Sequence, residues 1–182
     1  RGCRAWYNSD DGFDLINCYA SYIIEYCWSF RNGYKPHSIE SSGGNGAGFK
    51  SGGYGMGDIK KVPNPIPQHT VRYCLAYYNR QQGFYSNHHL GGLIFENNTA
   101  YKNPSNYNML NRKSSNEAVD VPGYGHIIKN NLSLSPRNSG GFPQHLINVD
   151  NTLSEIKNNS FAPNDLNLSE SDFESLNEQE LM

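Results

Sequence analysis

Charge of either sign is scarce in this chain, at 18% of 182 residues, with a formal net charge of -2. Long apolar runs are missing as well: nothing approaches the roughly 18 consecutive apolar residues that would span a bilayer as a helix. A dense Lys/Arg stripe of the kind that grips phosphates is also absent, so nucleic acid is not an expected partner. The four cysteines contain no C-x-x-C pair and no paired Cys/His spacing, which argues against zinc. Buried thiols are the favoured reading of the cysteines over a disulfide, and they leave the compartment open.

What the chain does have is neutral polarity. Asn occurs 24 times and Gly 18 times, and mean hydropathy is -0.71. Both residues tolerate left-handed backbone angles, so many tight corners are expected and long amphipathic helices are not. The length suits one architectural unit. Residues 161–182 carry six acids and no Lys or Arg, which leaves 15 basic and 11 acidic residues before them. A mildly basic body, 1–160, is therefore expected to be followed by an acidic tail, 161–182, packing on or extending from it. The chain starts at Arg1 without a charged-then-apolar leader, so an export signal is expected to have been removed or to lie ahead of Arg1.

A repeat organises the body. Cys3-Arg4-Ala5-Trp6-Tyr7-Asn8, Cys27-Trp28-Ser29-Phe30-Arg31-Asn32, Cys74-Leu75-Ala76-Tyr77-Tyr78-Asn79 and Asn98-Thr99-Ala100-Tyr101-Lys102-Asn103 share one pattern: Cys or Asn, two residues, an aromatic, one residue, Asn. A fainter copy starts at Asn131. The spacings are 24, 47, 24 and 33 residues, a period of 24 with insertions. Short strand-like runs such as Thr70-Val71-Arg72 precede three of the four copies. Short strands at that period predict a solenoid whose equivalent residues stack about 4.8 Å apart, with Asn bonding to its copy in the next coil.

A second phrase recurs out of phase with the first: Gly12-Phe13-Asp14, Gly48-Phe49-Lys50 and Gly83-Phe84-Tyr85, spaced by 36 and 35. The middle coil carries 12 extra residues, placed within the Gly- and Ser-rich stretch 33–46. Adjacent strand residues face opposite ways, so an inward Phe leaves Asp14, Lys50 and Tyr85 as one outward column. Asp10, Asp11 and Asp14 put three carboxylates within five residues. By itself that is either a solvated acidic turn or a hard-oxygen site for Ca²⁺.

Asn8-Ser9-Asp10-Asp11-Gly12-Phe13-Asp14, Gly46-Ala47-Gly48-Phe49-Lys50-Ser51-Gly52-Gly53 and His69-Thr70-Val71-Arg72-Tyr73-Cys74 resemble polysaccharide lyase family 9. The likeness runs from about Arg1 to Asn131 and extends to Ser171-Asp172-Phe173-Glu174-Ser175-Leu176. It implies an all-β, right-handed parallel β-helix, here a C-terminal part of a longer one. It also implies Ca²⁺ held by Asp10, Asp11 and Asp14, with Lys50 as the base that attacks galacturonate in pectic polysaccharide. The family pattern has a further aspartate one coil upstream, which would lie ahead of Arg1. It has Asn-Gly where this chain reads Ala47-Gly48, so pectate and rhamnogalacturonan both stay open as substrates.

Arg80, Tyr85, Asn87 and His88, on the coil after Lys50, are candidates for sugar contacts. Lys35 is read as a solvated loop lysine. A polymeric substrate implies a secreted, periplasmic or cell-surface protein, of bacterial origin and monomeric. The competing reading is a non-catalytic β-helix that binds polysaccharide or serves structurally.

Overall fold

In a computed structural model, residues 1–55, 62–137 and 143–176 are described. Of the strands numbered β1 to β17 along the described chain, fifteen form three five-stranded parallel sheets and β12 and β13 pair as an antiparallel hairpin. The first holds β1 (Arg4–Trp6), β4 (Trp28–Phe30), β7 (Leu75–Tyr77), β10 (Thr99–Tyr101) and β15 (Leu132–Leu134). The second holds β2 (Phe13–Asp14), β5 (Phe49–Lys50), β8 (Phe84–Tyr85), β11 (Tyr107–Asn108) and β16 (Leu146–Ile147). The third holds β3 (Ile23–Glu25), β6 (Thr70–Arg72), β9 (Ile94–Glu96), β14 (Ile127–Lys129) and β17 (Glu155–Lys157). Each turn of chain gives one strand to each sheet, which is a parallel β-helix. Both sequence repeats fall on their predicted strands, and the faint copy at Asn131 forms β15 in register with β10.

Short strands of two or three residues cannot hold such a stack by backbone pairing alone. Side chains finish the task. Along the axis Phe13, Phe49, Phe84 and Tyr107 stack face to face, with successive ring centroids 4.9 Å apart. Glycine precedes each of these phenylalanines for a steric reason. A Cβ on Gly48 would sit 2.6 Å from the Gly83 carbonyl oxygen, and one on Gly83 would sit 2.8 Å from that of Asn106. The coils pass too closely there for any other residue.

Two amide ladders tie the corners. In the first, the backbone N–H and side-chain Nδ2 of Asn8 both donate to Asn32 Oδ1, Asn32 donates likewise to Asn79, Asn79 to Asn103, and Asn103 to Asn106. In the second, Asn98 donates to Asn131 and Asn131 to Asn159. This second ladder starts with thiols: Cys27 Sγ accepts from the Cys3 N–H and Cys74 Sγ from the Cys27 N–H, each at 3.4 Å. The thiols are all free, with Cys27 and Cys74 buried and Cys3 exposed. They occupy the asparagine position as weak acceptors rather than as inert filling.

The expectation of Asn or Gly at left-handed corners holds at positions such as Asn17, Asn87 and Gly33 but not along the first ladder. The left-handed corner residue is the one before each ladder position, and along the first ladder it is Tyr7, Arg31, Tyr78 and Lys102, with φ between 50° and 55°. Asn fills that corner only at Asn97, Asn130 and Asn158 on the second ladder. A left-handed residue other than Gly costs about 1–2 kcal/mol, and the two hydrogen bonds made by the following amide offset it.

Three buried histidines line another corner. Nδ1 of His69, His89 and His126 accepts the backbone N–H of Tyr22, Gly53 and Leu93 respectively, at 3.1 to 3.2 Å. Beyond β15, the acidic tail lays Leu168, Phe173 and Leu176 against Tyr77, Tyr101 and Leu134 on the outer face of the first sheet, and Glu170 pairs with Lys102 at 2.8 Å.

Asn79 makes four hydrogen bonds with its side chain. Asn79→Ala strands buried donors on Asn32 and is expected to destabilise the fold by about 2–4 kcal/mol, read from denaturant unfolding. Burial pushes His89 and His126 down to about 4, while in the unfolded chain they titrate near about 6.5. Between those values only the unfolded chain binds the protons. Stability is therefore full above about pH 6.5 and falls as the pH drops, by up to about 1.4 kcal/mol per pH unit for each histidine. Unfolding midpoints at pH 7 and pH 5 check this, and equal midpoints would contradict it.

Candidate active site

The register of the second sheet places Asp14 opposite Lys50 and Lys50 opposite Tyr85. Residues 36 and 35 positions apart thus stand side by side on the outer surface, as the second repeat predicts. Phe49 and Phe84 beneath them are fully buried, which fixes the strand faces and hence where Lys50 and Tyr85 point.

Lys50 Nζ lies 3.1 Å from Asp11 Oδ2 and 3.1 Å from Asp14 Oδ2. Each carboxylate is anchored through its other oxygen: Asp11 Oδ1 accepts the Ala47 N–H at 2.7 Å and Asp14 Oδ1 the Ile16 N–H at 2.8 Å. The Asp11 side chain is 5% exposed, Lys50 18% and Asp14 34%. Burial raises the Asp11 carboxyl above its ordinary value, against the opposing pull of the Ala47 and Lys50 bonds. For Lys50, burial works to lower its affinity for a proton, but Asp14 and Asp11 together outweigh it and hold the ammonium above its ordinary value.

Asp10 is exposed, and the two ion pairs of Lys50 go to the other aspartates. Hard carboxylate oxygens are what Ca²⁺ takes, usually with about six to eight oxygen ligands. Asp11 and Asp14 fit a divalent cation in donor type, since both Oδ2 atoms converge on a single positive charge. They fall short in number: among the described residues no group of three or more His, Cys, Asp or Glu is gathered closely enough to hold a metal ion.

A cleft of about 240 Å³ opens beside Lys50, lined by Asp11, Asn45, Ala47, Lys50, Gln81, Gln82, Tyr85 and Asn87. A larger open depression of about 870 Å³ lies over residues 151–163. Its acid and base, Glu155 and Lys157, are already paired at 2.7 Å, and the reactive groups converge on the smaller cleft. Of the four candidate sugar contacts, Tyr85 and Asn87 line this cleft. Asn87 spends its Nδ2 on the Gly52 carbonyl, and Arg80 points Nη1 at the Gly44 carbonyl, pinning the inserted loop. His88 stands behind Tyr85, with Nε2 2.8 Å from the phenol oxygen and Nδ1 2.6 Å from Asp120 Oδ1. His89 is fully buried and lies past β8, in an isolated bridge to Asn111 after the left-handed turn at Asn87 and His88.

Sequence reasoning passed over Asn45, Gln81, Gln82 and Asp120. The amides sit in loops without a repeat to mark them. Asp120 had a signal: the spacing of 33 between Asn98 and Asn131 exceeds the period of 24. The extra length is the antiparallel hairpin of β12 (Asn111–Ser114) and β13 (Glu117–Val121).

Residues 1–131 match a family model described as Pel9A-like, right handed beta helix region. Pectate lyase L of Dickeya chrysanthemi is 40% identical over 134 residues, covering 74% of this chain and 28% of the relative. Pectate lyase PEL9 of Emericella nidulans is 31% identical over 119 residues, covering 57% of this chain and 28% of the relative. Among solved structures, one titled rhamnogalacturonan lyase superposes with a TM-score of 0.87 at 54% identity, covering 100% of this chain and 42% of that one. Pectate lyase Pel9A superposes with a TM-score of 0.69 at 34% identity, covering 98% and 38%. The chain thus spans 28% of the length of these curated relatives. With a matching family model over most of its length and a shared stack of parallel coils, the chain belongs to the Pel9A-like right-handed β-helix family.

Proposed function

We propose that the protein is a polysaccharide lyase that cleaves galacturonate-containing pectic chains by β-elimination, with Lys50 as the base. The observation that carries this reading is the pairing of Asp11 and Asp14 with Lys50 beside one cleft, which Asp11 and Lys50 line. The names of the relatives, pectate lyase and rhamnogalacturonan lyase, support the same class of reaction. A polymer of this size is met outside the cell, so the protein acts as a secreted or cell-surface enzyme.

Elimination removes the hydrogen on C5, next to the uronate carboxylate, and expels the oxygen on C4. Lys50 stands in the cleft on a strand whose outward face is set by Phe49, so its amine is presented to the ring lying across the coils. Asp11 and Asp14, with Asp10 beside them, would supply part of the oxygen set of a hard divalent cation such as Ca²⁺, which when bound would neutralise the uronate carboxylate and make the C5 hydrogen more acidic. The two aspartates also fix the position of Lys50 when no substrate is present.

An ordinary lysine is neutral in only about one molecule in 2,500 at pH 7, and Asp14 and Asp11 favour the charged form of Lys50 further. The neutral fraction rises about tenfold per pH unit below the pKa. The rate is therefore expected to climb from pH 7 into the alkaline range and to drop in excess chelator. Lys50→Ala is expected to cut formation of unsaturated uronide, followed by ultraviolet absorbance, about 10²–10⁴-fold while leaving the circular dichroism spectrum unchanged. Undiminished cleavage by that variant would rule out Lys50 as the base, whereas no unsaturated product from the unaltered protein would favour a β-helix that only binds polysaccharide.

A further inference from the structure

The hairpin β12–β13 leaves the solenoid between β11 and β14 without breaking either sheet, and Arg112 faces Asp120 across its two strands. One contact links this insertion to the cleft. Asp120 Oδ1 lies 2.6 Å from His88 Nδ1, and His88 Nε2 lies 2.8 Å from the hydroxyl of Tyr85, which lines the cleft next to Lys50 in register. The Arg112 guanidinium, 5% exposed, stands 4.0 Å from the same Asp120 oxygen and donates to the Gly55 carbonyl at 3.1 Å.

The direction of these hydrogen bonds follows from what each group can do. An ionised carboxylate only accepts, so the proton of a neutral imidazole is drawn to Nδ1. Nε2 is then left with a lone pair and accepts the Tyr85 O–H. The phenol oxygen consequently turns only lone pairs toward the cleft. It keeps its proton through the alkaline range, because burial, reinforced by Asp120, pushes it up to about 12.

We propose that Asp120 and His88 are positioning residues that fix the polarity of the Tyr85 hydroxyl, so that the cleft beside Lys50 takes a neutral, hydroxyl-bearing sugar unit in preference to a second uronate. This rests on the lyase reading and names its substrate more narrowly: a backbone in which galacturonate alternates with a neutral sugar, as in rhamnogalacturonan. A hydroxyl donor satisfies the lone pairs of Tyr85, whereas a carboxylate meets them as like dipoles. The remaining lining agrees. Asn45, Gln81 and Gln82 are uncharged amides, and Lys50, the one cation lining the cleft among the described residues, already faces two carboxylates. A run of consecutive uronates would find no second cation there.

The test is equilibrium binding by the intact protein of two probes, an alternating galacturonate–rhamnose hexasaccharide and tetragalacturonate. Asp120→Asn removes the charge that fixes the imidazole proton on Nδ1, so His88 can donate from Nε2 and release the Tyr85 O–H toward the ligand. It is expected to weaken the alternating probe about tenfold and to leave tetragalacturonate unchanged or tighter. Tyr85→Phe is expected to give the same loss, and adding Asp120→Asn to it should change nothing more, which a merely structural role for the hairpin would not produce. Equal effects on both probes, no effect on either, or additive losses in the double variant would overturn the proposal. Failure of the lyase reading is separate: it would show as no unsaturated product from the unaltered protein, with the binding ratio still responding to Asp120→Asn.

Discussion

Stacking of coils in strict register, held by amide ladders at the corners, is the constraint on which the rest of the molecule depends. Strands of two or three residues supply few backbone bonds each, and a slip of one residue would turn every inward side chain outward. The ladders forbid that slip. A single Asn79 side chain bonds to the coil before and the coil after, so its position is tied to both neighbours at once. The phenylalanine column and the glycines before it add a second restraint, because only that register lets the rings stack and the backbones pass.

The chemistry is a by-product of the same register. Asp14, Lys50 and Tyr85 are remote in sequence and adjacent in space only because their coils superpose. Two anchored carboxylates around one amine make a site with competing demands. Their charge holds the ammonium in place, and it also opposes the neutral form that a base requires. A divalent cation at the same oxygens would compete with the lysine for them, so in the proposed reaction cation and base would be linked through shared ligands.

Departures from the regular coil lie where the cleft is shaped. The insertion at 33–46 brings Asn45 to the cleft, and Ala47, just after it, lines the cleft and gives its N–H to Asp11. The hairpin at 111–121 brings Asp120 to His88. A solenoid tolerates such insertions because each coil needs only its neighbours, so the frame stays intact while loops alter what surrounds the lysine.

Much of this was legible in the sequence. A periodic fold writes its period into the chain, and Cys/Asn and Gly-Phe phrases at fixed offsets identified the coils, the inward Phe and the outward Asp14–Lys50–Tyr85 column. The resemblance then pointed to Lys50 and to the aspartates. Other features had no such record. Tyr, Arg and Lys occupy left-handed corners that local preference would have given to Asn or Gly, because the ladder bonds outweigh the local strain. The cysteine column read as filling but acts as hydrogen-bond acceptor, since what matters is the N–H of the coil before it. Asp10 resembled its neighbours in sequence, yet the ion pairs of Lys50 go to Asp11 and Asp14, whose carboxylates are turned by the Ala47 and Ile16 N–H groups. Sequence alone determined the coil and its outward lysine, for these repeat along one dimension. Tertiary structure alone decided which side chains meet across coils and insertions, for those contacts depend on distances that no spacing in the chain encodes.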